Sequence, residues 1–374
     1  MHPSLSRDLA TRLEQVLLPL GAILLALMLF GVFCAFQGLN PWDVYGSIYT
    51  AGFGRWPSLQ NALLRAAPLM LCSLCTLLPG QVGLMVIGNE GALLVGALTA
   101  TGMGLLLRGM APVVAQGGMA VAGLVGGGLW IGLLGWMKAK RGVNETIAGL
   151  LLNYVAIALL NFLVEGPLRD PASLNHPASF PLAETHLLAN LPGMRVHGGI
   201  VAGVIACLLC AWLLYRTPLG FAARITGGNP RAAQIVGLPV DRLLVTFCLL
   251  GGAAAGLAGM VEVAAVHGRA NDALIAGYGY GGVLVAFVAR QNPLLAIVVS
   301  VLLGGILASG GILQRAHDLP DATVLIFQGL VFLCVLWSES FYGKLQPRLQ
   351  RWFQGGGSTG VPPSLIATGA RQLG

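Results

Sequence analysis

The sequence predicts an all-α membrane protein, a polytopic bundle of about ten transmembrane helices with one short or broken helix. Three observations carry this. Only 9% of the 374 residues are charged, against roughly 25% in a soluble domain, and 56% are hydrophobic. Apolar runs of the ~20 residues needed to cross lipid recur along nearly the whole chain. Glycine fills 54 positions, about twice its usual share of ~7%, which suits helices packed closely in lipid. These observations exclude a soluble globular domain and a disordered chain. No Gly-X-Y period supports collagen, and no alternating apolar strands support a membrane barrel.

Charge-poor spans lie near residues 15–36, 66–83, 84–107, 112–137, 146–164, 198–215, 243–266, 293–313 and 323–341. A shorter glycine-rich stretch, 274–290, reads as the short or broken helix. Ten crossings put both termini on one side. With the N-terminus in the cytoplasm, fourteen Lys and Arg fall on inner segments and seven on outer ones, as the positive-inside rule requires. The net charge of +7 is thus a topology signal and not a nucleic-acid footprint. The first apolar run, Val16 to Phe36, is long enough to span and reads as a helix and not a cleavable leader. This divides the chain into a cytoplasmic N-terminus (1–14), a transmembrane domain (15–343) and a flexible cytoplasmic tail (344–374). Two loops stand out within it. The outer cap, 165–197, carries five prolines and is expected to be turn-rich; the inner loop, 216–242, is basic.

Chemistry is sparse. Cys72-x-x-Cys75 and Cys207-x-x-Cys210 lie inside apolar helices, where they read as small packing residues and not as metal ligands. No phosphate-binding loop, nucleophile elbow or His-Glu-x-x-His is present, so the chain does not read as an enzyme. Polarity within apolar helix is more informative, because such residues usually face a cavity or the bundle interior. Asn89 and Glu90, in Gly88-Asn89-Glu90-Gly91, read either as a helix cap with an acid in the first turn or as part of a translocation path. Asn153 joins them, while Glu262 reads equally as snorkelling or path-lining. The run Gly277-Tyr278-Gly279-Tyr280-Gly281-Gly282 suggests unwound backbone at membrane depth, tolerated where it lines a cavity. Asn89, Glu90, Asn153, Gly277, Gly279 and Gly281 are therefore the candidate path residues. Gly123-x-x-x-Gly127 and Gly252-x-x-x-Gly256 are among the spacings that permit close helix approach.

In the inner loop, Pro218 stops a helix, and Gly227-Gly228-Asn229 reads as a turn with Asn229 as N-cap and Pro230 at the first helical position. Arg231 to Val236 then form about two turns. So short a helix is unstable alone and needs a partner surface. Ala232 and Ala233 offer it a flat face, with Arg224 and Arg231 available to carboxylates.

The chain resembles the permease subunits of bacterial ABC importers in the ribose-permease-like superfamily, most closely the larger permease of simple-sugar and nucleoside uptake systems. The resemblance covers residues 15–343. It rests on Gly88-Asn89-Glu90-Gly91, Gly142-Val143-Asn144-Glu145, Leu151-Leu152-Asn153-Tyr154, Gly166-Pro167-Leu168-Arg169-Asp170-Pro171, and Thr217-Pro218-Leu219-Gly220-Phe221-Ala222-Ala223-Arg224 running into Gly228-Asn229-Pro230-Arg231-Ala232-Ala233. Val86 and Ala92 stand where the family usually carries polar residues. The resemblance implies a multi-pass permease in the bacterial inner membrane, passing a nucleoside or simple sugar delivered by an extracytoplasmic binding protein. It implies a second permease subunit as partner in a heterodimer. Two cytoplasmic ATPases would use ATP and Mg, this chain binding no cofactor itself, and lipid would be the other partner, with no role for nucleic acid. On that reading Gly220, Arg224, Gly228, Asn229, Pro230, Arg231, Ala232 and Ala233 couple the permease to the ATPase. An ion-gradient-driven secondary transporter or channel is the alternative, and it calls for paired intramembrane charges.

Overall fold

The computed structural model describes residues 3–173, 176–320 and 322–339; the tail at 344–374 lies outside them. Among the described residues the chain is helical, with no strand beyond isolated bridges. The helices run α1 (Pro3–Phe36), α2 (Pro41–Gly52), α3 (Trp56–Gly80), α4 (Asn89–Leu106), α5 (Pro112–Arg141), α6 (Glu145–Glu165), α7 (Gly199–Arg216), α8 (Pro218–Gly228), α9 (Pro230–Ile235), α10 (Val240–Glu262), α11 (Tyr278–Val288), α12 (Pro293–Ala308), α13 (Gly310–His317) and α14 (Ala322–Glu339). Residues 30–329 form one contact unit, and the two ends of the chain form another. The features described below lie within the first.

Among the described residues six helices are long and apolar enough to cross a membrane, or seven if the bent pair Leu20–Phe36 and Pro41–Gly52 counts as one. The sequence reading missed α2, a helix of 12 residues whose N-cap, Asn40, accepts from the Trp42 amide. It also started α3 ten residues late. Polar Gln60, Asn61 and Arg65 interrupt hydropathy there, but Pro57 in the first turn opens the helix regardless.

The core seam joins α5 to α10, and the two glycine pairs singled out by spacing meet in it. A Cβ on Gly256 would strike the carbonyl oxygen of Gly123, and one on Gly252 the carbonyl of Gly127. With no side chain between them, the backbones approach as close as helices can. Gly96 and Gly259 extend the same backbone contact to α4. On α6 and α7 one side remains apolar and exposed, with Leu151, Phe162, Leu209 and Trp212 among its residues, the face expected toward lipid. The segment between these two helices holds isolated bridges and a single 3-10 turn, Glu184–His186, among its described residues.

Arg290 and Gln291, between α11 and α12, both adopt left-handed backbone, with φ of 52° and 58°. They reverse the chain within one turn, and Asn292 then caps α12 by accepting from the Leu294 amide at 2.9 Å.

Candidate functional site

Three short polar side chains lie where α3, α4, α6 and α11 converge. Asn89, Glu90 and Asn153 are 1%, 1% and 0% exposed, so each must find partners inside the protein. Each does so on an element other than its own. Asn89 Nδ2 donates to the Cys72 carbonyl at 3.0 Å and to Thr76 Oγ1 at 2.9 Å, both on α3. Asn153, on α6, accepts from the Gly91 amide at 2.8 Å and donates to the Ile87 carbonyl at 2.8 Å, holding the start of α4. Glu90 accepts from the amides of Gly277 at 3.0 Å and Gly279 at 2.6 Å. It therefore caps α11, 187 residues away in sequence, and not the helix it belongs to. A carboxylate at a helix N-terminus is favoured both by unpaired N–H groups and by the dipole.

The glycine run is not unwound. Gly277, at φ 77°, is the N-cap of α11, and Tyr278 to Gly282 are helical. Its glycines serve close approach: a Cβ on Gly279 would meet Glu90, one on Gly281 would meet Leu69, and one on Gly282 would meet Cys72. Gly279 and Gly281 are buried and Gly277 half-buried, whereas the side chains of Tyr154 and Tyr280 stand exposed beside them. Asn153 Nδ2 lies 3.4 Å from the Tyr280 hydroxyl.

In the inner loop, Thr217 caps α8, accepting from the Gly220 amide at 3.2 Å, with Pro218 in the first turn. Gly220 admits no Cβ because the carbonyls of Leu213 and Leu214 occupy that space. Arg224 donates to the Leu214 carbonyl at 2.5 Å and lies over the Tyr215 ring at 5.9 Å. It braces the α7–α8 elbow, and any carboxylate it meets would add to those contacts. Gly228 ends α8 with open space around it. Asn229 takes the N-cap of α9, its Oδ1 accepting from the Ala232 amide at 3.1 Å, and Pro230 follows at the first position. Ala233 is fully buried, so the flat Ala232–Ala233 face expected from sequence is corrected: Ala232 is exposed and Ala233 anchors the helix. The exposed apolar residues are Ile235 at 86% and Val236 at 76%, and Arg231 is exposed with them.

Sequence reasoning missed what lies beneath. A Cβ on Gly227 would strike the Gln81 carbonyl, so α8 seats directly on the turn that leads to α4. The same Gln81 donates its amide to the Gln291 carbonyl at 3.2 Å. Only the glycine-glycine doublet hinted at this contact. Of the remaining polar positions, Asn144 caps α6 from Oδ1, and Glu145 pairs with Lys138 at 2.8 Å. Glu262, ambiguous by sequence, is 3% exposed and lines a cavity of about 640 Å³.

A bundle of long apolar helices with exposed apolar faces is a multi-pass membrane protein. Residues 58–336 match the family described as the branched-chain amino acid transport system permease component, and the chain belongs to that family. It is 32% identical to the glucose ABC transporter permease protein TsgB13 of Haloferax volcanii, across 86% of this chain and 87% of that one. It is 27% identical to the guanosine ABC transporter permease protein NupP of Bacillus subtilis, across 90% and 98%. It is 24% identical to the nucleoside ABC transporter permease protein NupB of Lactococcus lactis, across 86% and 91%.

Proposed function

We propose that this chain is one of two permease subunits of an ATP-driven importer in a bacterial plasma membrane, carrying a nucleoside or simple sugar. Both termini lie in the cytoplasm, about ten segments enter or cross the membrane, and a binding protein delivers the solute from outside. Two separate ATPase subunits supply the energy through the loop 216–242. The observation that carries this reading is α9: a six-residue helix, capped by Asn229, presenting Ile235 and Val236 to solvent. Exposed apolar residues on a loop of the positive-inside side call for a protein partner. The seat of Gly227 on Gln81 gives a push on α8 a direct route to the turn before Asn89 and Glu90. On this reading Asn89, Glu90, Asn153, Gly277, Gly279 and Gly281 hold the wall of the path in place, and Tyr154 and Tyr280 present side chains to it.

The test is Ala232→Trp, with uptake, ATPase co-purification and membrane insertion measured together. The expected result is normal insertion, loss of ATPase association and loss of uptake. Normal association and uptake with a Trp on α9 would sink the coupling assignment.

A further inference from the structure

The cavity of about 640 Å³ lies between the start of α3, the turn following α10, the segment 190–197 and residues 273–278. Its polar lining combines groups of opposite demand. Glu262 is a buried carboxylate that needs donors. The chain widens into a π turn, Val263–His267, immediately after it, and His267 Nε2 comes within 3.6 Å of the carboxylate. Such π turns are frequent at functional sites. Arg65 lies close to both Glu262 and the Tyr278 hydroxyl, and Arg195 stands exposed on the rim.

His197 supplies an independent sign that a ligand belongs here. It is 2% exposed, and its Nδ1 accepts from the Gly199 amide at 3.1 Å. The neutral ring therefore carries its hydrogen on Nε2, and that buried Nε2 has no partner. A buried N–H left unpaired is costly unless something enters to accept from it.

We infer that this cavity binds a neutral polyhydroxylated solute, a hexose or the ribose of a nucleoside, on the outer side of the permease and within a single subunit. The inference rests on the importer reading above. Electrostatics selects the class: an anion entering the cavity meets the buried carboxylate of Glu262, and a cation meets two guanidinium groups. A polyol satisfies both sets, its hydroxyl hydrogens going to Glu262 and its oxygen lone pairs to Arg65, Arg195 and the His197 N–H. Each hydroxyl is both donor and acceptor, which the mixed lining requires. The volume holds one such molecule with some of its water. A solute held here waits beside the start of α11, whose Tyr278 lines the cavity.

The experiment uses the purified permease–ATPase complex in lipid nanodiscs carrying Ala276→Cys, an exposed position on the cavity wall. The native cysteines are buried apart from half-buried Cys210, so a water-soluble maleimide reports the new thiol. Labelling is timed with glucose, with guanosine and with sulfate, and uptake of the same sugar and nucleoside is measured in parallel in cells producing the same transporter. Glucose or guanosine at twice its Kd should slow labelling about threefold. Adding Glu262→Gln or Arg195→Gln should abolish that protection while labelling itself continues. Arg195 is a surface residue, so its variant keeps the test informative if the Glu262 variant fails to fold. Uptake without protection by either solute overturns the cavity site and leaves the importer standing, whereas absence of uptake counts against the importer. Protection by sulfate alone also overturns the proposal, since it makes this an anion site.

Discussion

Glu90→Gln keeps the side chain's shape and removes its charge, and the geometry sets the size of the effect. The carboxylate accepts the backbone amides of Gly277 at 3.0 Å and Gly279 at 2.6 Å, with the Tyr280 amide beside them. Glutamine offers one oxygen, so its amide nitrogen faces the second N–H, donor against donor. One hydrogen bond to a charged acceptor is lost, about 1.5–3 kcal/mol, and one buried N–H is left unpaired, about 1–3 kcal/mol. Loss of the carboxylate from the helix N-terminus adds up to ~2 kcal/mol, but the same N–H groups carry that dipole, so the contributions overlap. The expected destabilisation is about 2–4 kcal/mol. The assay is reversible unfolding of the purified chain in mixed micelles, followed by circular dichroism. Gly279→Ala supplies the cross-check. Its Cβ would strike the backbone of Glu90 and crowd the same carboxylate, so part of its cost is shared and the double variant should cost less than the sum of the two. A Glu90→Gln protein within ~0.5 kcal/mol of the parent, or strict additivity with Gly279→Ala, would refute the capping argument.

The other expectations address the seam, the inner helix and the outer face. Gly256→Ala should cost ~1–3 kcal/mol through overpacking against the Gly123 carbonyl, whereas Gly228→Ala, with open space around it, should not destabilise in the same unfolding assay. Asn229→Ala removes the cap on α9, worth ~1 kcal/mol, and should lower uptake while insertion stays normal. Ile235→Asp should leave stability within ~0.5 kcal/mol yet release the ATPase in a pull-down, and retention of the ATPase would contradict the docking role. Burial lowers the pKa of His197 below its ordinary value, so the fold resists a proton that the unfolded chain accepts. Stability should be flat above pH ~6.5, fall as the pH drops through that value, and level off below the folded pKa. His197→Gln should reduce that slope in unfolding curves taken across the range.

The parts of this structure carried by local pattern were legible in the sequence. Apolar length revealed the long helices, i, i+4 glycines marked the α5–α10 seam, and Asn229-Pro230 announced the start of α9. The candidate site was legible as a set of positions, but the pairing was not. Nothing near Glu90 says that its oxygens belong to Gly277 and Gly279, because that contact closes a loop of nearly half the chain. Gly277-Tyr278-Gly279-Tyr280-Gly281-Gly282 looked unwound because glycine is a poor helix former in isolation. Here tertiary contact overrides propensity: bare backbone is what lets α11 lie against Glu90, Leu69 and Cys72. Ala232 and Ala233 looked equivalent because a six-residue helix shows too little periodicity to tell its inner face from its outer one. Gly227 looked like a turn residue, and only its contact with Gln81 shows that it is a seat.

The turn between α11 and α12 is held in strained backbone. Arg290 and Gln291 sit side by side in left-handed backbone, a placement that costs roughly 1–2 kcal/mol per residue outside glycine. Part of what holds them is the Gln81 amide on the Gln291 carbonyl, and Gln81 is itself the floor on which Gly227 rests. Gln81 therefore ties this strained turn to the seat of α8, so two elements far apart in sequence share one side chain and one carbonyl.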